Sequence, residues 1–127
     1  MLAKSNMAEF IVSGPNGESE PYLVNVQPTQ PGLLAPTAFQ VGGKQFVGAH
    51  FPDNQPFVLP VGAVSGVASR PARTGDTIVM YGLGFGPVRP NLRAGTLVGA
   101  SNSLTSSLQV LFGNTPATLS YAGLAPV

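Results

Sequence analysis

Arg73-Thr74-Gly75-Asp76-Thr77-Ile78-Val79-Met80-Tyr81-Gly82-Leu83-Gly84-Phe85-Gly86-Pro87-Val88 is the stretch whose reading decides the fold. Gly75 and Asp76 supply a turn. Thr77 to Tyr81 then bring β-branched and large apolar residues in sequence, which suits a central strand buried on both faces. Gly82, Gly84 and Gly86 alternate with Leu83 and Phe85, and Pro87 ends any further pairing. A central strand running into a shaped loop is the expectation, with no catalytic signature in it.

The rest of the 127 residues fits one domain built on that strand. Charged residues make up only 9% of the chain, against 43% hydrophobic, and there are 16 Gly and 13 Pro. That balance favours many short strands joined by turns over helices. The net charge of +1 is spread over scattered lysines and arginines, without the basic run that nucleic acid binding needs. With no cysteine, the chain has no disulfide framework, no thiolate zinc site and no cysteine nucleophile. No apolar run approaches the roughly 20 residues that span a bilayer. Residues 1–7 read as a leader and 8–127 as a single β-sandwich domain. Met1 to Phe10 lacks the apolar centre of a signal peptide, so an export signal would lie upstream.

Working outward in chain order, Ala8 to Ser13 and Tyr22 to Gln27 read as a hairpin around Gly14-Pro15-Asn16-Gly17. Period two puts Tyr22, Val24 and Val26 inward. Pro28, Pro31 and Pro36 break the next segment, where Leu33 and Leu34 plug the end of the core. Ala38 to Val41 and Gln45 to His50 flank Gly42-Gly43 as a second hairpin. Phe57 to Val61 reads as a short edge strand, Gly62 to Arg73 as loop, and Pro90 to Ser106 as a long loop, of a length that is often functional or interacting. Leu108 to Phe112 and Ala117 to Tyr121 form a last hairpin around Gly113-Asn114. The expected core is Tyr22, Val24, Val26, Ile78, Met80, Leu108, Val110 and Phe112.

Three segments resemble the Solibacter-type C-terminal β-domain, a module at the ends of large exported acidobacterial proteins. They are Val26 to Leu34 with its Pro-x-x-Pro-Gly-Leu-Leu, Pro71 to Val88, and Val110 to Pro126 with Gly-Asn-Thr-Pro-Ala and Tyr-Ala-Gly-Leu-Ala-Pro. The resemblance implies an all-β, immunoglobulin-like antiparallel β-sandwich, similar to IPT/TIG modules, and no known catalytic residues. In that family the Ala-Gly-Leu-Ala-Pro segment runs on into a final strand, whereas this sequence stops at Val127. Either the sequence is part of a longer chain or a strand from elsewhere fills the place.

Candidate chemistry is sparse. Gly82-x-Gly84-x-Gly86 does not have dinucleotide-loop spacing and leads into Pro87, so it reads as a corner where a side chain would clash. His50 and Asp53 are the one acid–base pairing, short of the ligands a zinc site needs. No serine lies in a nucleophile-elbow motif. Asp76 reads as turn chemistry near Arg73. Glu18, Glu20 and Asp53 do not form a calcium-loop series. Tyr22, Tyr81, Tyr121 and the phenylalanines read as core packing, not as a sugar platform.

The expectation is a non-catalytic structural or adhesion module of an exported or cell-surface protein, with no catalytic, cofactor-binding or metal residues and no cofactor. Its expected partners are other domains of the same protein, or other copies by strand addition. The alternatives are a self-assembling extracellular fibre subunit using β-strand complementation, and a carbohydrate-binding module.

Overall fold

In a computed structural model, described for residues 6–52 and 56–126, the chain is all-β. Among the described residues there is a 3-10 turn at Thr37–Phe39 and no α-helix. No helix there is long and apolar enough to cross a membrane. The strands form one four-stranded sheet and six two-stranded ladders.

The four-stranded sheet holds the best-buried part of the chain. Its order is Ser69–Arg70, Phe57–Val58, Ala49–His50 and Val79–Met80. His50 pairs with both Phe57 and Val79, so Ala49–His50 runs through the interior of the sheet. Ala49, His50 and Phe51 are all buried, as are Phe39 and Leu59 close by. Phe39 packs edge-on against Phe57, with ring centroids 5.2 Å apart, the geometry favoured by aromatic quadrupoles.

Three expectations change at this sheet. Val79–Met80 is an edge of it and not its centre, since it pairs with Ala49–His50 alone and its chain then continues as Gly82–Leu83, which pairs with Gly32–Leu33 in a separate ladder. Phe57–Val58 is interior and not an edge, because part of the expected loop, Ser69–Arg70, returns beside it. That pairing is parallel, Ser69 with Phe57 and Arg70 with Val58. The chain makes the crossover through turns closed by Ala63 N–H to the Pro60 carbonyl and Val67 N–H to the Val64 carbonyl.

The hairpins follow the turn chemistry. Met7–Phe10 pairs with Tyr22–Asn25 in antiparallel register, Phe10 opposite Tyr22 and Ala8 opposite Val24. Ser13–Gly14 and Gly17–Glu18 close the tip around Pro15-Asn16. Gln40–Val41 and Lys44–Gln45 flank Gly42 and Gly43, whose φ values of 56° and 75° make the turn that matches strand twist. Leu111–Phe112 pairs with Thr115–Pro116 around Gly113-Asn114. The long stretch 90–106 is not all loop, since Ser103–Leu104 pairs with Val88–Arg89.

The expected core is the main correction. Tyr22 is 70% exposed, Phe112 57% and Val26 46%, while Val24, Ile78, Met80, Leu108 and Val110 are half-buried. Alternation sets which side chains share a face, but burial also needs a second layer against that face. The hairpin at 6–27 bonds its own backbone, Ser19 to Val12 and Val26 to Asn6, with its flat faces open.

Candidate functional site

His50 was the one imidazole available for chemistry, and the sheet encloses it. Its Nδ1 lies 2.6 Å from the Phe51 carbonyl oxygen and its Nε2 lies 3.3 Å from the Tyr81 hydroxyl. A carbonyl only accepts, so in the neutral ring Nδ1 carries the proton and Nε2 accepts from Tyr81. The imidazole also packs against the Tyr81 and Phe57 rings, at 5.6 and 6.4 Å between centroids. Both nitrogens are occupied by structural bonds. Asp53, the expected partner, lies outside the described residues. Among the described residues no three His, Cys, Asp or Glu side chains gather closely enough to hold a metal ion.

Asp76 does more than shape its turn. Its carboxylate accepts two bonds from the Arg70 guanidinium, at 2.8 and 3.2 Å, and a third from the Arg73 backbone N–H at 2.8 Å. Arg70 in turn lies over the Phe51 ring, 3.6 Å from its centroid. The turn is thereby tied to the strand Ser69–Arg70 and to the core aromatic beneath it. The expectation gave Asp76 to Arg73, but Arg73 contributes only its backbone, and the guanidinium is that of Arg70. Nothing in the sequence singles out that partner: Arg70 stands six residues before Asp76, and the turn between them brings the guanidinium to the carboxylate.

The Arg70 guanidinium, and then the Arg73 N–H, hold the Asp76 carboxyl below the usual carboxylate range. A depressed folded-state pKa adds stability above the unfolded value of about 4, and that stability is lost as pH falls through the folded value. The Asp76→Asn variant should therefore be less stable than the parent at neutral pH. The two melting profiles should converge as pH drops below about 4. A gap that stays constant down to acid pH would contradict the assignment.

The glycine-rich loop meets backbone and not ligand. Gln30 N–H donates to the Gly84 carbonyl at 2.9 Å, and Leu34 N–H to the Tyr81 carbonyl at 2.8 Å. A Cβ on Gly82 would stand 2.6 Å from the Gly32 carbonyl oxygen and from the Phe85 ring. The corner is where the proline-broken segment 28–34 crosses the strand end. A second buried polar anchor, Asn102, was missed entirely. Its Nδ2 donates to the Ala100 and Leu124 carbonyls, and its Oδ1 accepts from Leu124 N–H at 2.6 Å. It ties 100–104 to the Tyr121-Ala-Gly-Leu segment, in a stretch whose composition carries no signal for it.

What remains is an open surface. Two hollows, of about 140 and 220 Å³, are smaller than the roughly 300–1,000 Å³ of ordinary small-molecule sites. Register places Ala8, Phe10, Tyr22, Val24 and Val26 on one face of the 6–27 hairpin, with Met7 and Leu23 on the other. Phe10 is 58% exposed beside Tyr22. These aromatics were expected inside, and they stand outside instead. Glu18 accepts from Ser13 Oγ at 3.1 Å at the hairpin tip, and it belongs to no metal-holding group of three among the described residues. The hairpin, an apolar ribbon with an acidic margin, is the candidate site. No family model matches the chain, and the comparisons with curated proteins and with solved structures give no match either, so this surface has to be read from its own geometry.

Proposed function

We propose that the chain is a non-catalytic structural module of an exported or cell-surface protein, and that it works packed against neighbouring protein. One observation carries this reading. The accessible surface is 10,219 Å² for a mass of 13.0 kDa. A self-contained domain of that mass exposes about 6,300 Å². The excess is rich in large apolar side chains, Phe10, Val12, Tyr22, Leu23, Leu83 and Phe112 among them. Exposed apolar surface on that scale marks protein contact. A two-stranded hairpin alone is marginal in water, so the 6–27 ribbon gains most from being covered. The short β-ladders and Gly/Pro turns support an immunoglobulin-like β-sandwich plan, similar to the Solibacter-type domain, completed by such packing.

The exposed Phe10–Tyr22 pair raises the carbohydrate-binding alternative. Sugar platforms combine aromatic faces with polar groups that fix orientation. Here the pair continues into Ala8, Val24 and Val26, which favours a protein partner.

These 127 residues contain no cysteine, so a thiol introduced among them reports on its own position once the module is isolated by digestion after labelling. Tyr22→Cys and Ser65→Cys would be placed in the full-length protein in its own cells and treated with a membrane-impermeant maleimide. Ser65 lies on an exposed turn. The reading predicts labelling at position 65 on intact cells and protection at position 22, lifted when the protein is denatured. Equal labelling at both positions would show an uncovered ribbon, and no labelling at either would remove the surface location.

A further inference from the structure

We infer that the 6–27 hairpin of one copy docks on the basic side of a second copy, giving a head-to-tail assembly; this rests on the structural-module reading above. Two observations specify the occupant, one of charge and one of area.

Charge is divided unevenly along the chain. Residues 6–27 carry Glu9, Glu18 and Glu20 and no Lys, Arg or His, a charge of −3. Residues 28–127 carry Lys44, Arg70, Arg73, Arg89 and Arg93 against Asp53 and Asp76, which is +5 with −2, or +3. The two parts are therefore equal and opposite. Among the described residues the one ion pair is Arg70 with Asp76, inside the body, and no hairpin glutamate is paired with a described cation. The acidic ribbon and the basic body are complementary between copies. A two-fold dimer with hairpin on hairpin would instead bring three glutamates against three.

The area agrees. The excess over a self-contained domain is about 3,900 Å² per chain. In a head-to-tail array each copy gives one face and receives one, so the area lost per copy equals that of one whole interface. About 3,900 Å² is within the 2,000–5,000 Å² of obligate interfaces. The receiving surface is the stretch 83–97, where exposed Leu83 and Leu97 accompany exposed Arg89 and Arg93. Val88–Arg89 is held there by Ser103–Leu104, so the arginine comes from a braced strand. A contact between two different faces does not close on itself, and it propagates unless the rotation forms a ring. The donor in this arrangement is the whole hairpin, because Met7–Phe10 is already paired with Tyr22–Asn25 of its own chain.

Sedimentation of the purified full chain over a concentration series tests this. The parent should associate, and more weakly as salt is raised. Glu9→Lys/Glu18→Lys/Glu20→Lys in one protein, and Arg89→Glu/Arg93→Glu in another, should each weaken self-association by about 100-fold, because like charges then meet. An equimolar mixture of the two should assemble again, since a basic hairpin then meets an acidic body. The changed side chains are on the surface, and unchanged circular dichroism and melting would show that each variant folds. A parent that stays monomeric, or association that ignores both reversals, would overturn the head-to-tail contact. Reversal-insensitive association would leave the structural-module reading standing, because that reading is tested separately, by the maleimide labelling and by the urea slope of unfolding.

Discussion

Gly84→Ala should destabilise the chain by about 3–5 kcal/mol, the largest loss expected from removing or adding one methyl group anywhere in it. Two effects add. Gly84 has a φ of 74°, in the left-handed region where an L side chain is strained. A Cβ there would also overlap the Gln30 carbonyl oxygen, far inside van der Waals contact distance. That atom is main chain and cannot turn away as a side chain would. Relief requires segment 28–34 to back off, which breaks the Gln30 N–H bond to the Gly84 carbonyl and strains the Gly82–Leu83 pairing with Gly32–Leu33. Gly99→Ala is the control, because a Cβ there meets nothing within 4 Å and its φ is ordinary. Urea melts of the two variants make the comparison. Equal midpoints would mean that the crossing of 28–34 over 81–84 is not formed.

Leu59→Ala should cost about 3–4 kcal/mol, a fall in melting temperature on the order of 10 °C. Leu59 is 2% exposed and is the largest side chain to be so fully enclosed among the described residues. It lines one hollow with Phe46, Pro71 and Ala72, at the start of the crossover that makes Ser69–Arg70 parallel to Phe57–Val58. Ile78→Ala and Val110→Ala, at half-buried positions, should cost only about 1 kcal/mol each. Thermal melts of the three variants would reverse the ranking if the core were centred on the 78–80 and 108–112 strands.

That ranking shows what a linear reading can and cannot supply. The three hairpin turns, at 14–17, 42–43 and 113–114, were legible because Gly, Asn and Pro act on φ at their own positions. The glycine corner was legible as a close approach, though not what approached it. Strand neighbours were not legible. Ala49-His50-Phe51 gives no stronger strand signal than Thr77 to Tyr81, yet it became the sheet interior because Phe57–Val58 returned beside it. The Arg70–Asp76 tie depends on how the chain turns between those two residues. Tyr22, Val24 and Val26 were placed on one face correctly, and that face met no second layer. Alternation records which side chains could be covered, while the cover itself is a long-range fact. A sequence patterned for a covered face, on a hairpin whose face is open, is the strongest local sign that the cover belongs to other protein.

The open surface is measured most directly by the urea dependence of unfolding in dilute, monomeric chain. The slope m follows the surface newly exposed on unfolding. An extended chain of 13.0 kDa exposes about 19,000 Å², so this fold buries about 8,600 Å² where a self-contained domain would bury about 12,500 Å². The account predicts an m value about 0.7 of that for self-contained domains of the same length, by that ratio of areas. An m value equal to theirs would contradict it, because the chain would then cover its own apolar faces and need no partner.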